Sequence, residues 1–113
     1  MNNIQINCQD AKDLIGVRNV TIIDIRDHDS YKISHIEGAI ELNDSNIQKF
    51  INESDKNKPI LCYCYHGISS LSAVNYLLSQ GFKEVYSLQG GFEQWNEFLI
   101  NKKADDKYEN KNL

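Results

Sequence analysis

Short apolar, β-branched segments alternate with helix-forming segments along most of this 113-residue chain. The clearest strand candidates are residues 20–25 (VTIIDI), 60–64 (ILCYC) and 85–88 (VYSL), and shorter ones at 4–6 and 39–42 bring the number to about five. Continuously apolar strands are typical of a sheet that is covered on both faces, and helical connections make successive strands parallel. The pattern predicts an α/β domain with a mainly parallel central sheet flanked by helices.

The helix-forming segments end in a charged stretch. Helices are expected over residues 11–15, 28–34, 45–52 and 92–99, and from Leu71 to a stop at Gly81. A chain of this length has room for one core, so we expect a single domain over residues 1–100. Residues 101–113 are rich in charged and amide side chains, and we expect them to form a disordered tail.

Charge and hydropathy exclude several classes of function. The formal net charge is −4, and Arg18 and Arg26 are the two arginines of the chain. Because phosphate backbones are held by clustered lysines and arginines, no nucleic-acid partner is expected. No apolar run approaches the roughly 20 residues of a membrane helix, and the N-terminal segment does not resemble a secretory signal. We therefore expect a cytoplasmic protein with no membrane partner.

The three cysteines, Cys8, Cys62 and Cys64, do not form a disulfide framework, because their number is odd and the cytosol keeps thiols reduced. Cys62, Cys64 and His66 superficially resemble a soft-metal cluster. Same-face residues lie about 6.6 Å apart along a strand, however, which is too far for easy tetrahedral closure. We expect no metal, and we expect Cys8 and Cys62 to be packing residues. A resolving role for Cys62 remains an alternative, although a disulfide to Cys64 would be strained.

Cys64 has the sequence context of a reactive thiol. It ends an apolar strand and begins a short turn, containing Gly67, Ser69 and Ser70, that opens into a helix. Such a loop can direct successive backbone N–H groups inward, and the helix adds the positive end of its dipole. Both effects favour a thiolate, and they would equally hold a persulfide anion. The alternative is that Cys64 is a small buried hydrophobic residue at a strand end.

Four segments together resemble the rhodanese domain family, most closely its small single-domain bacterial form. They are residues 23–27 (IDIRD), 35–39 (HIEGA), 64–70 (CYHGISS) and 88–95 (LQGGFEQW), which occur in the family's order and at its spacing. The resemblance extends from about Ile4 to Leu99. It implies a rhodanese-like three-layer fold and a thiosulfate sulfurtransferase activity.

The resemblance also implies a mechanism. Cys64 would attack the outer sulfur of a small anionic donor such as thiosulfate, sulfite would leave, and the Cys64 persulfide would pass its sulfur to cyanide or to a thiol acceptor such as thioredoxin. No cofactor is implied, and we expect a monomer or weak dimer. The resemblance assigns persulfide binding to the loop residues Tyr65, His66, Gly67, Ile68, Ser69 and Ser70.

One departure from the family concerns the choice of donor. Ile68 occupies a position that is often polar or basic in relatives, and no Arg or Lys lies between Cys64 and Ser72. A protein persulfide or a low-molecular-weight persulfide is therefore an alternative to thiosulfate, and a non-enzymatic or slow sulfur-relay module is an alternative to the enzyme. A phosphatase or arsenate reductase would need an arginine to close the loop, where this chain has Ser69 and Ser70.

Two further residues invite a catalytic interpretation, and we expect structural roles for both. His35 is expected to order the turn before Gly38 through a hydrogen bond, because a thiolate that is already ionised needs no general base. Arg26 is expected to pair with Asp24 or with a neighbouring aspartate.

Overall fold

The computed structural model describes residues 4–111, with side chains described for residues 4–104. Five strands alternate with five helices. The strands are β1 (Gln5–Ile6), β2 (Thr21–Asp24), β3 (Ile40–Glu41), β4 (Ile60–Tyr63) and β5 (Val85–Leu88). The helices are α1 (Cys8–Val17), α2 (His28–Ile33), α3 (Ile47–Glu53), α4 (Ser69–Ser79) and α5 (Gly91–Lys111).

The five strands form one sheet in the order β1-β5-β4-β2-β3, and every pair is parallel. Strand β4 lies at the centre, with β2 on one side and β5 on the other. The carboxyl ends of all five strands therefore lie at the same edge of the sheet, and the loops that follow β2, β4 and β5 lie at that edge. This arrangement confirms the predicted α/β class with a parallel sheet of five strands.

Two apolar layers cover the two faces of the sheet. Alternate β4 residues divide between them: Leu61 and Tyr63 face one layer, and Ile60 and Cys62 face the other. The first layer is completed by α1 and α5, and the second by α3 and α4. The predicted three-layer arrangement is present, and the apolar character of β4 follows from its burial on both sides.

Local sequence explains where the helices begin. The side chain of Asn7 caps α1 by accepting a hydrogen bond from the amide of Asp10 at 2.8 Å. Asp27 caps α2 in the same way through the amide of Ser30 at 3.0 Å. Such caps satisfy N–H groups that have no partner within the helix. Each of these helices therefore starts at a position fixed by a short polar side chain.

The structure differs from the expected helix ends at two places. Helix α1 continues through Gly16 to Val17, where we expected Gly16 to end it. Helix α5 continues past Leu99 to Lys111, so the backbone of residues 101–111 is helical. Lysine, alanine and glutamate are good helix formers, which accounts for the helical backbone there. The domain boundary at residue 100 and the tail after it stay predictions.

None of the helices in the described part of the chain combines the length and apolar character needed to cross a lipid bilayer.

Candidate active site

Cys64 lies at the carboxyl edge of the sheet, directly after the central strand β4. Residues 64–68 form a tight loop that leads into α4 at Ser69. The side chain of Cys64 is nearly buried, with 6% of the residue exposed. Ligands of parallel sheets bind beyond the carboxyl ends of strands, where a loop enters a helix, and Cys64 occupies such a place.

Two backbone amides and one hydroxyl converge on the sulfur of Cys64. The amides of Gly67 and Ser70 donate to Sγ at 3.1 Å and 3.3 Å. The thiol of Cys64 donates to Oγ of Ser70 at 3.4 Å, and once the thiol is ionised the sulfur has no proton and accepts from the same hydroxyl. Burial by itself raises the pKa of Cys64. The bonds from the Ser70 hydroxyl and from the amides of Ser70, Gly67 and His66 oppose burial, and the net pKa lies below the ordinary value. The loop therefore stabilises a thiolate, because hydrogen bonds to the charged form favour it.

The start of α5 holds the loop carbonyl groups away from the sulfur. The amide of Phe92 donates to the carbonyl oxygen of Cys64 at 2.9 Å, and the amide of Glu93 donates to that of Tyr65 at 3.1 Å. Each peptide unit has its C=O and N–H on opposite sides. Anchoring these carbonyls on α5 therefore helps to leave the following amides free to face Sγ.

Two glycines make this close approach possible. A Cβ atom on Gly91 would lie 2.6 Å from the carbonyl oxygen of Cys64, and one on Gly67 would lie 2.8 Å from the amide nitrogen of Gly90. Both residues also have positive φ angles, +64° for Gly91 and +89° for Gly67. Residues other than glycine adopt such angles only at a cost in free energy. The loop and α5 can therefore approach this closely only because positions 67 and 91 are glycines.

Behind the loop, Ser70 contacts a second buried hydroxyl. Its Oγ lies 2.7 Å from Oγ of Ser87, on the neighbouring strand β5. Both serines are completely buried in an otherwise apolar layer. A series of polar atoms therefore runs from β5 through the first turn of α4 to the sulfur.

A buried ion pair lies next to the site at the end of β2. Arg26 Nη2 lies 2.7 Å from Asp24 Oδ2 and also donates to the carbonyl oxygen of Ser34 at 2.6 Å. The guanidinium carbon lies 4.0 Å from the centre of the Phe92 ring. The predicted pairing with Asp24 is present, and together with the Ser34 carbonyl it engages the Nε and Nη2 groups of Arg26.

His35 also makes a hydrogen bond of the kind predicted for it. Its Nδ1 lies 2.7 Å from the carbonyl oxygen of Tyr31, and the two rings stack with centroids 3.9 Å apart. The hydroxyl of Tyr31 in turn donates to the carbonyl oxygen of Ala39. The histidine thus orders the turn between α2 and β3.

The remaining loop side chains surround the entrance to the site. Tyr65 and Ile68 are 49% and 74% exposed, and Ser69 is also exposed. His66 Nδ1 lies 2.8 Å from Glu93 Oε2 at the surface. Of the six loop residues expected to bind a persulfide, the structure brings Gly67 and Ser70 to the sulfur, with the amide of His66. The roles of Tyr65, Ile68 and Ser69 stay predictions.

Sequence reasoning did not identify two contributors to the site. In the sequence, Gly91 stands directly before the helix expected over residues 92–99, and Ser87 lies within the strand expected over residues 85–88. The adjacent glycines at 90 and 91 are a local signal of close backbone approach, but they do not show which segment approaches. Nothing local distinguishes Ser87, whose role depends on the pairing of β5 with β4.

The other two cysteines are buried in the apolar layers, as expected. Cys62 is completely buried, and burial raises its pKa well above the ordinary range. Burial also raises the pKa of Cys8. Among the residues that the structure describes, no group of three or more His, Cys, Asp or Glu side chains is arranged to hold a metal ion.

The comparisons with known proteins agree on one family. Residues 7–98 match the model of the rhodanese-like domain. A thiosulfate sulfurtransferase GlpE of Coxiella burnetii is 50% identical over 91 residues, which are 80% of this chain and 85% of that protein. The GlpE of Shewanella oneidensis is 50% identical over 80 residues, which are 71% of this chain and 79% of that protein.

A solved structure gives the same result for the fold. The solution structure of a rhodanese-like domain from Anabaena superposes with a TM-score of 0.76 and 28% identity, covering 86% of this chain and 76% of that one. The resemblance expected from four short motifs therefore holds across most of the chain and in three dimensions. The chain belongs to the rhodanese-like domain family.

Proposed function

We propose that this protein is a thiosulfate sulfurtransferase in which Cys64 carries sulfane sulfur as a persulfide. The observation that supports it most directly is the convergence on Sγ of the Gly67 and Ser70 amides, which donate to it, and of the Ser70 hydroxyl, which can donate to the ionised sulfur. The relatives named thiosulfate sulfurtransferase, at 50% identity, support the choice of reaction. Sulfur transfer needs a nucleophilic thiolate and a site that stabilises the loaded anion, and one set of donors can serve both.

In the first half-reaction, the Cys64 thiolate attacks the outer sulfur of thiosulfate. An S–S bond forms between Sγ and that sulfur while the S–S bond of thiosulfate breaks, and the bonding pair leaves with sulfite. The total charge stays the same, because a thiolate and a dianion give a persulfide anion and a dianion. The lowered pKa of Cys64 supplies the thiolate without a general base.

In the second half-reaction, an acceptor attacks the outer sulfur of the persulfide. Cyanide would leave as thiocyanate, and a thiolate acceptor would leave as a persulfide of its own. The electron pair of the breaking S–S bond returns to Sγ, which the same amides hold as a thiolate. The donors are fixed by the fold, so they need little rearrangement between the two states.

The loop composition disfavours phosphoryl or arsenate chemistry. Those reactions need a planar cation that holds several equatorial oxygens, and residues 65–71 contain no arginine or lysine. Arg26 does not fill this role, because its guanidinium is paired with Asp24 and Ser34. The site therefore favours sulfur transfer over the phosphatase alternative.

A second candidate is a sulfur-relay module that exchanges persulfide with a partner protein. It is favoured by the entrance, where Tyr65 and Ile68 are exposed and the loop has no cationic side chain to attract a dianion. Exposed apolar residues around a nearly buried nucleophile suit a protein surface that presents a thiol. A thioredoxin-like acceptor would satisfy this requirement in either candidate.

The proposed setting is the cytoplasm, with the protein as a monomer or weak dimer. Its three cysteines are all free thiols. A reducing compartment keeps Cys64 available as a thiolate and regenerates small thiols and thioredoxin-like acceptors.

Intact mass after brief incubation with thiosulfate tests the proposal. The wild type is expected to gain about one sulfur atom, which cyanide removes. Cys64→Ser is expected to gain none, whereas Cys62→Ala, which removes the neighbouring buried thiol, should load as the wild type does. A gain with glutathione persulfide but not with thiosulfate would keep the carrier and favour the relay. No gain with either compound would overturn the function.

A further inference from the structure

The two buried serines connect the sheet to the sulfur of Cys64. Ser87 lies on the α4 side of β5, and its Oγ is 2.7 Å from Oγ of Ser70, a bond in which either hydroxyl can donate. Sγ of Cys64 is in turn 3.4 Å from Oγ of Ser70: the thiol donates to that oxygen, whereas the thiolate has no proton and can only accept. Both serines have 0% exposure, so bulk water does not compete for their hydroxyl groups.

The chemistry of hydroxyl groups decides the direction in which the protons point. Each hydroxyl has one proton to donate and lone pairs to accept with. If Ser70 donates to Ser87, the Ser70 hydroxyl cannot also donate to the sulfur. If Ser87 donates to Ser70, the hydroxyl proton of Ser70 can point at the sulfur. In this second arrangement both hydroxyl protons have an acceptor. A thiolate favours the second arrangement because it is the stronger acceptor.

We propose that Ser87 is a positioning residue: its hydroxyl donates to Ser70 Oγ and thereby directs the Ser70 proton onto Sγ of Cys64. Hydrogen bonds in such a chain polarise one another, so the bond to the sulfur becomes stronger when Ser70 also accepts. Ser87 thus acts on the sulfur from the neighbouring strand without touching it. This role deepens the proposed function and rests on Cys64 being the sulfur carrier.

The ionisable groups around Cys64 do not take part in this connection. They include Cys62 and Tyr63 on β4, Asp24 and Arg26 at the end of β2, Tyr65 and His66 in the loop, and Glu93 on α5. In the described structure, Asp24 bonds to Arg26, and His66 bonds to Glu93. The hydrogen-bond partners of the Ser70 and Ser87 side chains include none of these ionisable side chains apart from Cys64 itself.

The pH dependence of alkylation of Cys64 by iodoacetamide tests the proposal in the full chain. Removing the hydroxyl in Ser87→Ala is expected to raise the pKa of Cys64 and to lower the alkylation rate at neutral pH by about threefold. In a Ser70→Ala background, the same substitution should have no further effect, because the intermediate hydroxyl is gone. Cys64→Ser gives the background from the other two thiols.

Val85→Ala is the matched control, since it removes buried side-chain atoms from the same strand and the same layer without touching the hydroxyl groups. It should lower stability and leave the alkylation profile unchanged. An unchanged alkylation profile in Ser87→Ala would overturn the positioning role. So would a shift of the profile that is equally large in the wild-type and Ser70→Ala backgrounds. Alkylation needs no sulfur donor, so it tests the positioning role of Ser87 independently of sulfur transfer. If only the positioning role is wrong, the wild-type alkylation profile would still show a lowered pKa of Cys64.

Discussion

The amide of Phe92 donates to the carbonyl oxygen of Cys64 at 2.9 Å, so the last helix and the reactive loop are joined directly through their backbones. Side chains do not mediate this contact. It requires that the residue before Phe92 have no Cβ atom, because one on Gly91 would lie 2.6 Å from the same carbonyl oxygen. The position of the loop that begins at Cys64 therefore depends on a residue 27 positions later in the chain.

Gly91→Ala is expected to lower stability and reactivity together. The φ angle of +64° costs an alanine about 1–2 kcal/mol, and the clash with the loop carbonyls adds to it. We expect a total loss of about 2–4 kcal/mol in the free energy of unfolding, measured with urea. Alkylation of Cys64 should slow as well, because a displaced loop no longer aims its amides at Sγ.

Gly38→Ala separates the cost of the positive φ angle from the cost of the clash with the loop carbonyls. Gly38 has a φ angle of +84°, but a Cβ atom there would meet nothing within 4 Å. This variant should lose only the backbone part, about 1–2 kcal/mol, and keep the alkylation profile of the wild type. Equal behaviour of the two variants would show that the contact between α5 and the loop has no special effect.

Ser70→Ala is expected to move the pH profile of sulfur transfer to higher pH. The rate should rise with pH as Cys64 ionises, and in the wild type this rise lies below the ordinary pKa of a thiol because hydrogen bonds lower that of Cys64. Losing the Ser70 hydroxyl removes one of these bonds, so the pKa increases and the rate at neutral pH falls by about tenfold. Ser72→Ala, whose side chain is exposed on the same helix, is the matched control and should keep the wild-type profile.

Asp24→Asn is expected to destabilise the fold strongly. The side chains of Asp24 and Arg26 are 0% and 5% exposed, and the substitution leaves a buried guanidinium without its counter-charge. Breaking such a pair costs about 3–5 kcal/mol, which urea denaturation would measure. Glu84→Gln, which breaks the more exposed pair with Arg18, should cost less than about 1 kcal/mol. Similar losses in both variants would contradict the importance of burial.

His28 should make a small part of the stability dependent on pH. Its hydrogen bond to Glu41 raises its pKa above the ordinary value of 6.5. A raised pKa stabilises the folded state when the group is protonated, so this contribution is present below the ordinary value and is lost as pH rises through the raised one. The difference in urea midpoint between the wild type and His28→Gln should therefore be largest in mild acid and vanish in mild alkali. A constant difference would show that the ion pair contributes nothing.

The local sequence was sufficient to predict the strands and the amides that face Cys64. Continuous apolar character predicted β4, and its burial on both faces explains why. The placement of Cys64 between that strand and a glycine-containing turn predicted amides directed at the sulfur, and the amide of Gly67 lies there. Both depend on residues that are neighbours in sequence, which is why pattern and geometry agree.

The parts that were not predicted depend on residues that are distant in sequence. Ser87 reaches Ser70 only because β5 pairs with β4, and Gly91 meets Cys64 only because α5 packs across the end of the loop. The helical continuation to Lys111 has a different cause, namely the intrinsic helix propensity of the lysine, alanine and glutamate residues after Leu99.

The contact between α5 and the loop has a consequence for the order in which the chain is synthesised. Cys64 leaves the ribosome well before Phe92 and Glu93, whose amides fix the loop carbonyls. Until those residues emerge, the cysteine has the environment of an unfolded thiol and most of its population stays protonated at neutral pH. The hydrogen bonds that lower the pKa of Cys64 therefore form only when almost all of the domain has been synthesised.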